Sequence, residues 1–160
     1  MIEKILCLNI GELIVTGEDI IVSTTLGSCV SICLHSPDKK TSGIIHYALP
    51  YFLNNSMEED NLKYGERAIP ILIEEMIKVT KREASTLKAK IIGGSNCFIR
   101  DSKGGLDDIG EKNTLVAKEI LKQYKIEIVG ENTGGKVGRK VLYHCLDGRL
   151  QVAALTQLEN

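Results

Sequence analysis

The chain has 160 residues, of which 43% are hydrophobic and 26% are charged, and its formal net charge is −1. This composition is typical of a globular protein, and we expect residues 1–160 to form one domain. The basic residues are scattered and balanced by acidic ones, so no nucleic-acid partner is predicted. No apolar run approaches the roughly 20 residues of a membrane span. Charges interrupt the N-terminal apolar stretch, which excludes a signal peptide, and we expect a cytoplasmic protein.

The first third of the chain is predicted to consist of strands. Short runs rich in Ile, Val, Leu and Thr are separated there by Gly, Asp and Pro signals. The runs are KILCL (4–8), ELIVT (12–16), DIIVSTT (19–25), CVSICLH (29–35) and SGIIHYAL (42–49). The segment YFLNNSMEEDN (51–61) is the best candidate for a flexible loop.

Two amphipathic helices follow. From Tyr64 to Lys81 apolar residues recur at helical spacing, which predicts a helix that begins a few residues before Pro70. A second helix is predicted over about Gly110–Tyr124, with its inward face formed by Leu115, Val116, Ile120 and Leu121. LKAKIIGG (87–94) and IEIVGEN (126–132) predict further strands, and a C-terminal hairpin is predicted to turn at Asp147–Gly148. Because the order is not a regular βαβ alternation, the pattern predicts a layered α+β fold.

The chain has five cysteines: Cys7, Cys29, Cys33, Cys97 and Cys145. An odd number in a protein expected to be cytoplasmic argues against a disulfide framework. Only two of them are closely spaced, with no second Cys or His pair, so we predict neither a metal site nor a cofactor. Cys29 differs from the others because a Gly-Ser turn directly precedes it. A buried packing cysteine needs no such turn, and we interpret the other four as core residues.

Cys29 and His46 lie on two strands that are predicted to form a hairpin. A loop of four residues would pair Ser36 with Thr41 and place His46 diagonal to Cys29 on one face, whereas a two-residue loop would place the two residues opposite each other. Either register brings the thiol within reach of the imidazole. His35 lies roughly 20 Å from Cys29 along the same strand. A thiol beside an imidazole on a neighbouring strand is typical of a cysteine nucleophile and its base.

The segment LGSCVSICLHSPDKKTSGIIHYALP (26–50) resembles the signature hairpin of the CheD family of chemoreceptor glutamine deamidases. Three later blocks are similar to family blocks in the same order and at the same spacing: KAKIIGGSNCF (88–98), IGEKNTLVAKEIL (109–121) and ENTGGKVGRKVLYH (131–144). The resemblance implies a three-layer α/β/β sandwich with two main helices, which agrees with the α+β pattern.

The resemblance also implies a catalytic site. Cys29 would be the nucleophile and His46 the base in a thioester mechanism that converts receptor glutamine side chains to glutamate. The family's third catalytic residue is a threonine six positions before the cysteine, and Ser23 occupies that position here, followed by Thr24. Adjacent strand residues point to opposite faces, so only one of these hydroxyls can meet His46, and we prefer Ser23.

The implied partners are methyl-accepting chemotaxis receptors, as substrate, and a CheC-type phosphatase. Three other functions compete with a deamidase: a regulatory binding module that acts through such a phosphatase, a papain-like thiol protease, and a redox sensor. The chain has no long segment to build a peptide cleft, which disfavours the protease. Cys29 and Cys33 would lie about 13 Å apart on one strand, too far for a disulfide, which disfavours the sensor.

Overall fold

The computed structural model describes residues 3–52, 61–96, 98–100 and 106–155. Most of the predicted flexible loop at 51–61 lies outside the described residues. The described part of the chain forms eleven strands and two α-helices. In chain order these are β1 (Lys4–Cys7), β2 (Leu13–Thr16), β3 (Ile20–Leu26), β4 (Val30–Ser36), β5 (Thr41–Tyr47), α1 (Gly65–Thr80), β6 (Lys88–Gly93), β7 (Phe98–Arg100), β8 (Leu106–Asp108), α2 (Ile109–Gln123), β9 (Glu127–Thr133), β10 (Arg139–His144) and β11 (Arg149–Ala154).

The strands form two stacked sheets. A four-stranded sheet has the order β1-β3-β10-β11, and a five-stranded sheet has the order β2-β5-β4-β6-β9, while β7 and β8 pair separately. Both helices pack on the face of the five-stranded sheet that is turned away from the other sheet. The layers are therefore helices, five-stranded sheet and four-stranded sheet, and the predicted α/β/β sandwich is confirmed.

Two hydrophobic cores fill the spaces between the layers, and β4 contributes to both. Val30, Ile32 and Leu34 pack under the helices. Cys33, on the opposite face, packs between the two sheets. A strand buried on both faces needs an almost continuous apolar run, which explains the composition of the segment after Cys29. The face that carries Cys33 also carries Ser31, so that face of β4 looks into the space between the sheets.

The helix predictions hold in extent but fail at one residue. The predicted first helix is α1, and the predicted second helix is α2, which Asp108 caps by accepting a hydrogen bond from the Glu111 N–H at 3.0 Å. Leu115, however, is 47% exposed, so its predicted inward position is wrong. The inward face of α2 is centred on Ala117 and Leu121, and at 100° per residue Leu115 lies on the opposite side of the helix.

The C-terminal hairpin also differs from its prediction. His144 pairs with Arg149, so the connection has four residues, 145–148, and not the two of an Asp-Gly turn. Beyond the end of β10, Cys145 remains attached to β3, because its N–H donates to the Ile20 carbonyl at 3.0 Å. Gly148 closes the loop at a φ of +76°, which a residue with a side chain rarely adopts.

Candidate active site

Cys29 lies directly before β4, at the end of a bend that is fastened to the end of β6. Its carbonyl accepts a hydrogen bond from the Gly94 N–H at 2.9 Å, and the Gly27 carbonyl accepts one from the Ser95 N–H at 2.9 Å. The bend sets Cys29 apart from the regular strand, although its side chain is half-buried and not freely exposed. Gly27 does not have a positive φ, and a Cβ at that position would meet nothing within 4 Å. The backbone geometry therefore does not require glycine there.

The hairpin between β4 and β5 has a four-residue loop, which is one of the two even lengths that the sequence left open. Ser36 pairs with Thr41, and further along the ladder Ser31 pairs with His46. His46 therefore projects from the same face as Ser31, towards the space between the sheets. Cys29 precedes Ser31 by two residues, so the alternation of β4 extended to Cys29 predicts the same face for the thiol.

The imidazole of His46 is held by a chain of hydrogen bonds. The Thr24 hydroxyl donates to the Leu8 carbonyl at 2.8 Å, and its oxygen lies 2.9 Å from Nδ1 of His46. The hydroxyl has one proton, which the carbonyl receives, so Nδ1 must carry a hydrogen and donate it to the threonine oxygen. Neutral His46 therefore has its lone pair on Nε2. That atom is buried and has no hydrogen-bond partner among the described residues.

The structure brings His46 together with Thr24 and not with Ser23, contrary to the preference drawn from the family spacing. Thr24 shares the face of β3 that also carries Val22 and Leu26, two core residues between the sheets. Ser23 points to the other face of the four-stranded sheet. The apolar alternation at even-numbered positions of this strand is a sequence signal for the inward direction of Thr24.

Sequence reasoning missed the segment between β1 and β2, which crosses over His46. Besides the Leu8 carbonyl, the segment supplies the Gly11 N–H, which donates to the His46 carbonyl at 2.8 Å. The carboxylate of Glu12 lies close enough to influence the imidazole. These contacts join parts of the chain that are distant in sequence, and no local sequence pattern predicts them.

Burial shifts the two candidate catalytic groups in opposite directions. Burial lowers the pKa of His46, while the nearby Leu8 backbone and the charge of Glu12 partly oppose that effect. Burial raises the pKa of the Cys29 thiol, and the backbone N–H of Cys29 itself partly opposes that effect. Both shifts disfavour the charged forms. The resting pair is therefore a neutral thiol and a neutral imidazole.

The remaining histidines are bonded elsewhere. Nδ1 of His35 lies 2.8 Å from the Ser42 hydroxyl, near the loop end of the hairpin. Nε2 of His144 lies 3.0 Å from the Gln151 side chain on the exposed surface of the four-stranded sheet. Cys33 is fully buried, and burial raises its pKa well above the usual range, so its thiol is not suited to be a nucleophile.

Two clefts lie beside these elements. One, of about 460 Å³, reaches His46 and Thr24 between the Cys7–Ile10 segment and Lys140. The other, of about 450 Å³, lies between α2 and the loop after β9, and Gly94 and the exposed Leu115 form part of its wall. In the described part of the chain no three His, Cys, Asp or Glu side chains are grouped so that they could hold a metal ion.

Arg139 supports the loop after β9 from inside. Its guanidinium donates to the Asn132 side chain at 2.8 Å and to the carbonyls of Gly134 at 2.7 Å and Gly93 at 3.3 Å. Arg139 therefore connects the loop to the end of β6, next to Gly94.

The fold and the juxtaposed Cys29 and His46 segments define an α/β/β sandwich with a candidate thiol–imidazole site. The family model described as CheD chemotactic sensory transduction matches residues 48–154, which is more than half of the chain. The chain belongs to the CheD family.

Two curated relatives extend the similarity to the N-terminal part. A probable chemoreceptor glutamine deamidase CheD of Caldanaerobacter subterraneus subsp. tengcongensis is 38% identical over 156 residues, which is 97% of this chain and 96% of the relative. A protein of the same description from Clostridium novyi is 37% identical over 134 residues, 82% of this chain and 81% of the relative. Because the first match covers 97% of this chain, it includes the segment with Cys29 and His46.

A solved structure shares the fold. A DUF152 protein from Neisseria meningitidis superposes with a TM-score of 0.50 at 12% sequence identity, over 84% of this chain and 65% of that longer chain. At this identity the likeness concerns the fold alone. Among the described helices none is long and apolar enough to cross a membrane.

Proposed function

We propose that this chain, acting as one domain over residues 1–160, is a chemoreceptor glutamine deamidase with Cys29 as nucleophile. Its curated relatives have that activity in their names. The observation that carries the proposal is the hydrogen bond between Thr24 and Nδ1 of His46, which leaves a lone pair on the buried and unpartnered Nε2. His46 lies on the face of the five-stranded sheet on which the Cys29 side chain is also predicted to lie. The Nε2 lone pair is therefore suited to accept the thiol proton.

In the first half-reaction, Nε2 of His46 takes the proton of the Cys29 thiol while the sulfur attacks the Cδ carbonyl carbon of a receptor glutamine. The new C–S bond turns the carbonyl oxygen into an oxyanion. The imidazolium then gives its proton to the amide nitrogen, the C–N bond breaks, and ammonia leaves. The product of this half-reaction is a γ-glutamyl thioester on Cys29.

In the second half-reaction, His46 removes a proton from water, and the resulting hydroxide attacks the thioester carbon. Collapse of this second oxyanion breaks the C–S bond, and the proton on Nε2 returns to the sulfur. Glutamate and the free thiol result. Thr24 keeps Nδ1 protonated throughout, so Nε2 alone exchanges protons, which is the orienting role of the third member of a triad.

The oxyanion of both steps needs a hydrogen-bond donor beside the sulfur. The backbone N–H of Cys29 partly offsets the effect of burial on the thiol pKa. We assign this N–H to the oxyanion because a donor next to the nucleophile lies where the negative charge develops. Backbone donors of this kind stabilise the transition state without side-chain reorganisation.

The proposal is tested with the cytoplasmic fragment of a chemoreceptor from the same genome and intact-mass analysis. Wild-type protein should add the mass of deamidation and release ammonia, whereas Cys29→Ala should fold and do neither. Cys33→Ala is the matched control, because it also removes a thiol, but from a buried position within β4, the strand that follows Cys29. It should retain activity with a modest loss of stability. Full activity of Cys29→Ala would refute the proposal, and cleavage of the fragment would indicate a protease instead.

We also propose that the active surface lies in the cytoplasm, where it meets the receptor, and that a CheC-type phosphatase binds across it. A partner that covers Cys29 would compete with the receptor. A saturating amount of the purified phosphatase should therefore slow both deamidation and labelling of Cys29 by a thiol reagent. Undiminished labelling in the saturated complex would place the partner on another surface.

A further inference from the structure

Asn113 on α2 joins the two backbone segments of the candidate site, although it lies far from both in sequence. Its Nδ2 group donates to the Ser28 carbonyl at 2.9 Å and to the Ala48 carbonyl at 2.9 Å. Ser28 directly precedes Cys29, and Ala48 follows His46 by two residues. One amide group therefore holds the nucleophile segment and the histidine strand against the same helix.

The contact with Ser28 also fixes the direction of a particular N–H. The Ser28 carbonyl and the Cys29 N–H belong to one peptide unit, which is planar and trans, so the two groups point in opposite directions. When Asn113 holds the carbonyl on the helix side, the N–H of Cys29 points away from the helix. The next peptide is held as well, because the Cys29 carbonyl accepts from the Gly94 N–H at 2.9 Å.

Asn113 is an unusual residue for its place. It is fully buried, and its Oδ1 atom has no hydrogen-bond partner among the described residues. An unpaired buried acceptor costs about 1–3 kcal/mol. Its helix turn is fixed independently by the Tyr47 hydroxyl, which donates to the Asn113 carbonyl at 2.6 Å. This helix turn therefore has a contact with β5 that does not depend on the Asn113 side chain, whose own contribution is the two donor hydrogen bonds to Ser28 and Ala48.

We infer that Asn113 is a positioning residue, which acts by orienting the Ser28–Cys29 peptide so that the Cys29 N–H faces the developing oxyanion. This inference rests on the proposed function, because it requires Cys29 to be the nucleophile. Removing the two amide donors frees the Ser28 carbonyl to rotate, and the Cys29 N–H rotates with it. The loss appears in the step that develops an oxyanion, whereas the ionised thiol keeps its reactivity in reactions that form none.

The test uses Asn113→Asp, which has the same shape but lacks the NH₂ group, and Asn113→Ala, which removes the amide without adding an acid. Leu121→Ala is the matched control, because Leu121 is fully buried on the same helix and packs in the core under the sheet. Each variant is assayed for kcat and KM with the receptor fragment, for thermal unfolding, and for alkylation of Cys29 by iodoacetamide from pH 6 to 10. Alkylation displaces iodide from a tetrahedral carbon and develops no oxyanion.

Loss of a single oxyanion donor lowers kcat by about 10²–10³-fold, and we expect the folded Asn113 variants to approach the lower value with little change in KM. Their alkylation rate at the high-pH plateau, where the thiol is ionised, should match wild type. The midpoint of the profile should move only slightly to higher pH, because the Cys29 N–H partly lowers the thiol pKa. Leu121→Ala should lose stability but keep kcat. A wild-type kcat in the Asn113 variants overturns the inference, as does a parallel fall of kcat and alkylation, which would mean that the thiol–imidazole pair itself is disturbed. An active Cys29→Ala protein would instead refute the proposed function.

Discussion

Replacement of Thr24 by valine removes the hydroxyl that holds His46 and keeps the branched shape of the side chain. The hydroxyl takes part in two buried hydrogen bonds, one to the Leu8 carbonyl at 2.8 Å and one with Nδ1 of His46 at 2.9 Å. Both partners stay in place after the substitution, so a carbonyl and an imidazole N–H lose their partner. Each such loss costs about 1–3 kcal/mol, and for the two together we expect the free energy of unfolding to fall by about 2–6 kcal/mol.

The same substitution should reduce turnover for a separate reason. Without an acceptor beside Nδ1, the imidazole can rotate and can carry its hydrogen on Nε2, and neither state accepts the thiol proton. General acid–base catalysis contributes about 10²–10⁴-fold, and we expect Thr24→Val to lose about 10²-fold in kcat. Thr24→Ser keeps the oxygen and should retain most of the activity. Ser23→Ala removes a hydroxyl from the other face of the strand and should change kcat little.

The assays are deamidation of the receptor fragment, urea unfolding, and the ¹⁵N chemical shifts of the His46 imidazole. Wild type should show a hydrogen on Nδ1 and a lone pair on Nε2, and Thr24→Val should show a mixture. The reasoning is refuted if Thr24→Val is as active as wild type at a temperature where it is folded. A disabled Ser23→Ala protein beside an active Thr24→Val protein would show that the family spacing, and not this geometry, identifies the third residue.

Two further predictions concern pH and the backbone beside Cys29. Because burial lowers the pKa of His46, the unfolded chain takes up a proton near its ordinary value of about 6.5 while the folded chain does not. Stability should therefore fall as the pH drops below about 6.5. Urea titrations should show a smaller fall in His46→Gln than in wild type, and the remainder comes from His35, whose pKa burial also lowers. At Gly93 (φ +112°) a Cβ would lie 2.2 Å from the Cys29 carbonyl oxygen, whereas at Gly134 (φ +80°) it would meet nothing within 4 Å. Gly134→Ala should cost about 1–2 kcal/mol for its φ alone, and Gly93→Ala should cost more and also lower kcat; equal effects on stability and activity would contradict the close approach of Gly93 to Cys29.

The part of the site that lies within the β4–β5 hairpin was predictable from the sequence. Side-chain alternation places Cys29 and His46 on one face for either even loop length, and the Ser36–Thr41 pair shows that the loop has four residues. Thr24 was also within reach, because its apolar neighbours at even-numbered positions indicate the inward face. The roles of Leu8 and Asn113 were not predictable, because each contacts the site through hydrogen bonds between residues that are distant in sequence. The Asn113–Ser28 bond joins residues 85 apart in sequence, and only packing of α2 on the five-stranded sheet brings them together.

The opposite pKa shifts of Cys29 and His46 bear on how the proposed reaction begins. In many cysteine enzymes a low thiol pKa provides a standing thiolate, but here burial raises the thiol pKa and lowers that of the imidazole. An ion pair therefore has to form during attack, when the substrate carbonyl takes up negative charge and the Cys29 N–H stabilises it. A group that only stabilises the oxyanion then also favours proton transfer, because the two events share one transition state. The resting thiol, being protonated, should react slowly with oxidants and small electrophiles, since thiolate is the reactive form.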